Sequence, residues 1–193
     1  DPLYQGSQWN QQHQNRVLAD ADVILVIDSD VPWIPLVNRP REGARIIHID
    51  VDPLKQQMPL WYIPARHRFR ADAAVALRQL NDRLEATALD DSARRERTAY
   101  HAGLHEERRV ALLAREQASG EGGAITPAHL TSRIRRLIDD DTIVLNEGIT
   151  NYQIITDHLG MTRPGSLFAS GGSSLGWSGA PRSGSSWPGR TGP

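Results

Sequence analysis

Residues 22–28 read Asp-Val-Ile-Leu-Val-Ile-Asp, a short apolar run that is rich in β-branched side chains. A run of this kind, without polar alternation, is typical of a strand buried on both faces of a parallel sheet. A second run of the same character, Arg45 to Pro53, ends in a proline that cannot continue a central strand. The two runs predict parallel strands, so the expected fold class is α/β.

The segments around these strands complete the first layer. Residues 11–20 could form a helix before the first strand, and His67 to Arg70 a short third strand. A helix is predicted from Asp72 to about Leu84, with Asp72 as its N-cap. Its apolar residues recur at helical spacing and define the face that packs: Ala73, Ala76, Leu77, Leu80 and Leu84.

The amino-acid composition changes after residue 85. A charged, alanine-rich stretch predicts a helix from Asp91 to Gln117, and Ser-Gly-Glu-Gly-Gly follows at 119–123. We therefore interpret residues 86–123 as a helical connection between a first unit at 1–85 and a second unit from 124.

The second unit opens with a strong helix signal, in which Thr126 is the N-cap and Pro127 the first helical residue. Apolar residues then recur through Leu130, Ile134, Leu137 and Ile138. The order that follows is a strand at 142–147, a helix at 150–159, a strand at 166–169 and a loop rich in glycine and serine.

Two loops of this second unit are candidates for ligand binding. Glu147-Gly148-Ile149-Thr150-Asn151 joins a strand to a helix, where free backbone N–H groups and the helix dipole attract anions. Ser170 to Trp177 follows the next strand. Either loop alone is more simply a turn or a flexible loop. As a pair they meet at the carboxyl edge of a parallel sheet and define a crevice there.

Composition excludes several classes of function. The chain has 193 residues, 39% of them hydrophobic, which suits a globular protein. The 22 basic and 23 acidic residues leave a net charge of -1, which argues against nucleic acid or membrane as partner. The absence of cysteine excludes disulfides and thiol catalysis. No signal peptide or spanning segment is evident, so the expected location is cytoplasmic.

Together, these segments resemble a known family. The stretch from Thr126 through 146–151 to Trp177 resembles the opening half of the cofactor-diphosphate domain of thiamine-diphosphate-dependent enzymes of the acetolactate synthase and benzoylformate decarboxylase type. Residues 21–28 and 47–53 resemble the central domain of that family. The resemblance covers most of residues 1–179 and implies Rossmann-like parallel-sheet layers: a partial central domain at 1–85 and a truncated cofactor-binding domain at 124–179.

The resemblance also implies a set of cofactor-binding residues. The diphosphate would lie against the loop Glu147, Gly148, Ile149, Thr150 and Asn151, and the aminopyrimidine against Ser173, Ser174 and Leu175. Leu175 falls where the family wedges an apolar side chain between the two cofactor rings, although an ordinary core leucine is the simpler interpretation. Thiamine diphosphate and Mg²⁺ are the implied cofactors, with a 2-oxo acid substrate and a parent enzyme that is a homodimer or homotetramer.

Other features of that family have no counterpart in the sequence. Residues 29–33 lack the arginine that helps to hold FAD in flavin-containing members, which makes FAD a doubtful cofactor. The Gly-Asp-Gly metal motif and the activating glutamate are absent, so we expect no catalytic or metal-binding residue here and an inactive fragment of a carboligase or decarboxylase. Residues 180–193 have no apolar periodicity and suggest a frameshift or a disordered tail.

A different class of function also remains open. A Rossmann-like layer can serve as a non-catalytic nucleotide-binding or interaction module. Against that alternative, no Gly-x-Gly-x-x-Gly motif follows either of the two early strands.

Overall fold

The structure is a computed structural model that describes residues 1–7, 13–58, 62–169 and 176–179. The chain divides into two compact units, Asp1–His105 and Glu106–Pro193. Residues 180–193, for which the sequence predicts an out-of-frame or disordered tail, lie outside the described residues. The helices are α1 Arg16–Asp20, α2 Ala73–Glu85, α3 Asp91–Gln117, α4 Pro127–Arg135 and α5 Tyr152–Leu159; the strands are β1 Val23–Ile27, β2 Arg45–Asp50, β3 His67–Arg70, β4 Val144–Asn146 and β5 Leu167–Ala169.

The first unit contains a three-stranded parallel sheet in the order β1-β2-β3, which confirms the α/β class and the predicted strands. Leu25 lies opposite Ile47, and Ile49 opposite Phe69. One face of the sheet carries the core of the unit, whose buried members are Leu18, Val26, Trp33, Ile46, Ile63 and Ala65. The helix before β1 is shorter than predicted, because Asn15 caps it and it begins only at Arg16.

The other face of this sheet is only partly covered. In β1, Val23 and Leu25 are 45% and 40% exposed, and Phe69 in β3 is 54% exposed. The prediction that β1 is buried on both faces is therefore wrong. Helix α2 forms where expected, and the Asp72 side chain accepts a hydrogen bond from Val75 N at 2.9 Å, but none of its residues is buried. The apolar side chains of α2 therefore remain partly exposed to water.

A buried ion pair lies at the carboxyl edge of the first sheet. Lys55 Nζ donates to Asp50 Oδ2 at 2.6 Å and to Asp30 Oδ1 at 2.7 Å, so it links the segments that follow β1 and β2. Burial by itself would raise the pKa of Asp50, but hydrogen bonds from Lys55 and from Asp52 N bring that pKa below its ordinary value. The fully buried His48 lies beside this pair, with Nε2 3.4 Å from Asp50 Oδ2, which is long for a hydrogen bond.

Replacement of Lys55 tests this pair. Lys55→Met should leave Asp50 as a buried charge without its cation and lower the free energy of unfolding by about 3–5 kcal/mol. The matched control is Asp30→Asn, because the Asp30 side chain is 72% exposed and its loss should cost less than about 1 kcal/mol. Urea unfolding followed by circular dichroism measures both variants. Equal unfolding midpoints for the two variants would contradict a structural role for the buried contact between Lys55 and Asp50.

The second unit contains a two-stranded parallel sheet, in which Asn146 of β4 lies opposite Ala169 of β5. Helix α4 begins as predicted, with the Thr126 side chain accepting from His129 N at 3.1 Å and Pro127 in the first turn. The strand and helix that flank the 147–151 loop are each shorter than predicted: β4 starts at Val144, and α5 starts at Tyr152. Helix α5 ends at Leu159, and the C-cap residue Gly160 adopts the left-handed conformation.

The orientation of α4 differs from the expectation. The predicted apolar residues that lie in α4 are exposed, with Leu130 at 52% and Ile134 at 43%, whereas its buried residues are Ala128, Thr131 and Ser132. Leu137 and Ile138, which were expected to continue the pattern, lie beyond the end of α4 at Arg135. The physical reason is an ion pair on the other side of the helix. Arg135 donates to both carboxylate oxygens of the buried Glu116, at 2.8 and 2.9 Å, and this pairing turns the polar side of α4 inward.

Within the second unit, Glu116 near the end of α3 contacts side chains of both α4 and α5. Besides Arg135, it contacts the buried His158 of α5, whose Nδ1 lies 3.0 Å from Oε1. Arg135 also donates to the His158 carbonyl oxygen at 2.6 Å. Hydrogen bonds from Arg135, and then from His158, hold the pKa of Glu116 below its ordinary value in spite of burial. A lowered folded-state pKa means that the carboxylate contributes stability above the unfolded pKa and that this contribution is lost as the pH falls.

The lowered pKa of Glu116 predicts that the effect of Glu116→Gln on stability depends on pH. At neutral pH the variant should be less stable than the wild type by about 1.5–3 kcal/mol, the usual contribution of hydrogen bonds to charged groups. The difference should shrink as the pH drops below about 4.3, where glutamate protonates in the unfolded chain. Thermal unfolding between neutral and acidic pH measures it. Glu107→Gln, at an exposed position of the same helix, is the control, and a gap that does not change with pH would contradict the assignment.

Candidate functional site

The buried side chain of Asn146 organises the turn between β4 and α5. Its Oδ1 accepts a hydrogen bond from Gly148 N at 3.1 Å. Its Nδ2 donates to the Tyr152 carbonyl oxygen at 3.1 Å and lies 3.3 Å from Thr156 Oγ1. Only 3% of Asn146 is exposed, so the donor and acceptor of its side-chain amide are satisfied by groups within the protein. One side chain therefore fixes both ends of the predicted anion-binding loop.

Gly148 lies close to the side chain of Ile155. A Cβ atom at this position would lie 2.5 Å from Ile155 Cδ1 and 3.4 Å from Asn146 Oδ1. The first distance is shorter than side chains tolerate, so any larger residue must displace the Ile155 methyl group. The glycine thus lets the turn pass close to the first part of α5.

The N-terminal end of α5 has no side-chain cap among the described residues. The helix begins at Tyr152, and the N-cap residue Asn151 makes no capping hydrogen bond with its side chain. The first N–H groups of a helix have no partner within the helix, and together with the dipole they favour negative charge. Ile149 and Thr150 lie on the exposed part of the turn. The predicted residues Gly148 to Asn151 therefore form one strand-to-helix turn, whose ligand is not shown by the fold.

Glu147 connects this turn to the segment beyond β5. Its two carboxylate oxygens accept hydrogen bonds from Gly176 N and from Ser178 Oγ. These donors, Ser178 first, hold the pKa of Glu147 below its ordinary value, so the side chain is a carboxylate at neutral pH. The pairing of β4 with β5 is parallel, and the segments that follow the two strands meet at the same edge, as the sequence predicts.

The rest of the predicted site cannot be placed. Ser173, Ser174 and Leu175 lie outside the described residues. The structure does describe Gly176 to Gly179, the residues directly after them, and Trp177 to Gly179 form a short 3-10 turn. Trp177 Nε1 is buried and has no hydrogen-bond partner in the described part of the chain.

The described residues contain no preformed cluster of three or more metal-ligating side chains. Mg²⁺ needs near-octahedral oxygen ligands, with one or two carboxylates beside the phosphate oxygens. Residues 1–7, 13–58, 62–169 and 176–179 contain no group of three His, Cys, Asp or Glu side chains that could hold a metal ion. Within the same ranges, no helix is both long and apolar enough to cross a bilayer.

Sequence reasoning missed two side chains that shape these edges. Asn146 was assigned only as a strand residue, although an asparagine two residues before a glycine at a strand end is a known signal for a side-chain-to-backbone turn. Lys55 gave no signal of its own, because nothing in its neighbourhood distinguishes a buried lysine from a solvated one. At the end of β2, Asp50 accepts a hydrogen bond from Asp52 N at 2.8 Å and so caps the turn that follows the strand.

The fold and these edges define a mixed α/β protein with two small parallel sheets, each with polar side chains at its carboxyl edge. No protein-family model matches the chain, and no curated protein matches it.

The close approach at Gly148 gives a double-mutant test. Gly148→Ala should reduce the free energy of unfolding by about 1–3 kcal/mol, because the new methyl group overlaps Ile155 Cδ1. Ile155→Val removes that atom and alone should cost about 0.5–1.5 kcal/mol. In the double variant the cost of the alanine should largely disappear. Strictly additive costs in denaturant unfolding would show that the contact between residues 148 and 155 is not what requires glycine.

Proposed function

We propose that this chain provides the diphosphate-binding side of a thiamine-diphosphate-dependent enzyme that joins or decarboxylates 2-oxo acids. The observation that carries the proposal is the pairing of two loops at one sheet edge. Glu147 of the first loop accepts hydrogen bonds from Gly176, near the end of the second loop, and from Ser178, just after it. This arrangement agrees with the order of motifs on which the family resemblance rests. The cytoplasm is the proposed location, and a homodimer or homotetramer the proposed assembly of the parent.

In this proposal the turn and the side chain that supports it have separate binding tasks. The N-terminus of α5, which has no side-chain cap, would hold the diphosphate, and Gly148 allows the backbone to approach it closely. Asn146 keeps the turn rigid, so the N–H groups are already oriented when the anion arrives. Thiamine diphosphate, when bound, supplies the carbanion chemistry at its thiazolium ring. Ser173, Ser174 and Leu175 would contact its aminopyrimidine.

The first unit offers less support for FAD or for the alternative of a nucleotide-binding module. A dinucleotide site at a parallel sheet usually presents a free carboxylate to the ribose and backbone N–H groups to the phosphates. Here the Asp50 carboxylate already accepts from Lys55 Nζ and Asp52 N. Lys55 in turn spans to Asp30, so the buried cation at this edge is paired within the protein. We therefore retain thiamine diphosphate as the proposed cofactor and leave FAD out.

The affinity expected from the described residues is low. A helix N-terminus contributes about 0.3–2 kcal/mol to a bound anion. Micromolar binding requires about 8 kcal/mol. With no cluster of metal ligands in the described residues to bridge the diphosphate, the turn should bind thiamine diphosphate only in the millimolar range, and Mg²⁺ should change that affinity little. Turnover of a 2-oxo acid by this chain alone is not expected.

Isothermal titration with thiamine diphosphate, with and without Mg²⁺, measures this directly. The expected result is weak or undetectable heat in both titrations. Inorganic pyrophosphate is the control for a general anion effect. Micromolar binding that a chelator abolishes would contradict the prediction and would mean that the chain supplies a metal site.

A further inference from the structure

We propose that His101 and His105 form a two-imidazole site for a divalent transition metal ion on helix α3. The site is independent of the proposed function. The two histidines are four residues apart in the helix, so their side chains lie on one face, with about 5–6 Å between the Cβ atoms. Both are partly exposed, and both belong to the first unit. At this spacing one helix can present two imidazoles to one metal ion.

The ring of His105 is oriented by the backbone of the N-terminal segment. Its Nδ1 lies 2.6 Å from the carbonyl oxygen of Tyr4. A carbonyl oxygen only accepts hydrogen bonds, so Nδ1 carries the proton and donates it. In the neutral ring the available lone pair is then on Nε2, at the far side of the imidazole. Metal-binding histidines are commonly held in this way, with one nitrogen donating to a backbone carbonyl and the other facing the metal.

His101 supplies the second imidazole. Its ring packs edge-on against Tyr100, with 5.2 Å between the ring centroids, and its ring nitrogens make no hydrogen bond to the described residues. The side-chain amide of Gln5 donates to the His101 carbonyl oxygen at 2.7 Å. The N-terminal segment therefore contacts α3 at both histidines, and the two rings keep a nitrogen lone pair available on the same helix face.

The ligand set determines which ions fit. Imidazole nitrogen suits Zn²⁺, Ni²⁺ and Cu²⁺, whereas Mg²⁺ and Ca²⁺ are bound by oxygen ligands. Within the described ranges the pair is not part of a cluster of three or more His, Cys, Asp or Glu side chains, so water would complete the coordination. The site is therefore open and suits an exchangeable ion, unlike the closed four-ligand sites that hold structural zinc. Cu²⁺ should bind more tightly than Zn²⁺.

Isothermal titration of the full chain with Cu²⁺, Zn²⁺ and Mg²⁺ tests the pair. The wild type should bind Cu²⁺ and, more weakly, Zn²⁺, and Mg²⁺ should give no heat. His101→Ala and His105→Ala should each weaken Cu²⁺ binding about a hundredfold, because each removes a ligand that the other histidine brings to the ion at high effective concentration. His67→Ala is the matched control, an exposed histidine in β3 of the same unit, and should bind like the wild type.

A relocated histidine separates the spacing of the pair from the number of histidines. The double variant His105→Ala/Glu106→His keeps all 7 histidines of the chain. It places the second ring five residues from His101, about 140° away around the helix axis. Its Cu²⁺ affinity should fall as far as that of His105→Ala, while circular dichroism shows that both variants remain folded. Wild-type affinity in the relocated variant or in His101→Ala would overturn the proposal.

Long-range ¹H–¹⁵N NMR spectra of the imidazoles give a second readout that a purely structural histidine would not move. In the metal-free protein His105 should be the Nδ1–H tautomer. Addition of Zn²⁺ should shift the nitrogen resonances of both His101 and His105 and leave those of His67 unchanged. An Nε2–H tautomer at His105, or a Zn²⁺ response from only one ring of the pair, would contradict the site.

Discussion

The amide of Asn146 is the interaction on which the candidate site depends. Buried at the end of β4, it must satisfy its donor and acceptor groups within the protein, and it does so with the backbone of Gly148 and Tyr152. These bonds fix where the strand stops, how sharply the chain turns and where α5 starts. Gly148 and Ile155 can then touch, and Glu147 points across the sheet edge. A change at Asn146 would alter all of these features together.

Both units contain charged side chains that are buried and paired with one another. In the first unit Lys55 and Asp50 link the segments at the sheet edge, and in the second Glu116 holds Arg135 and His158. Such pairs add little stability relative to apolar residues of the same volume, but the loss of one partner is costly. Their effect is therefore on arrangement: they determine which side of α4 faces inward and how the segments after β1 and β2 meet.

Much of the local structure could be predicted from the sequence. Asp72 and Thr126 were recognised as N-caps because a short polar side chain before an apolar helical pattern has one strong structural use. The β-branched runs gave β1 and β2 for a similar reason. The orientation of α4 could not be predicted. Its apolar periodicity predicts that the apolar face is buried, but the ion pair between Glu116 and Arg135 buries the polar face instead. That pair joins residues 19 positions apart, so local sequence does not reveal it. For the candidate site, the sequence located the turn at 148–151 and the shared edge, whereas the anchoring by Glu147 depends on a contact between distant residues.

The turn from Gly148 to Asn151 is the proposed binding site for the diphosphate of a cofactor. Backbone amide NMR of the full chain, titrated with thiamine diphosphate and in parallel with thiamine, tests it most directly. The largest shift changes are expected for the amides at the start of α5 and near Gly176, and thiamine without its diphosphate should leave those amides unshifted. Changes centred on the carboxyl edge of the first sheet, or an equal response to thiamine, would contradict the claim.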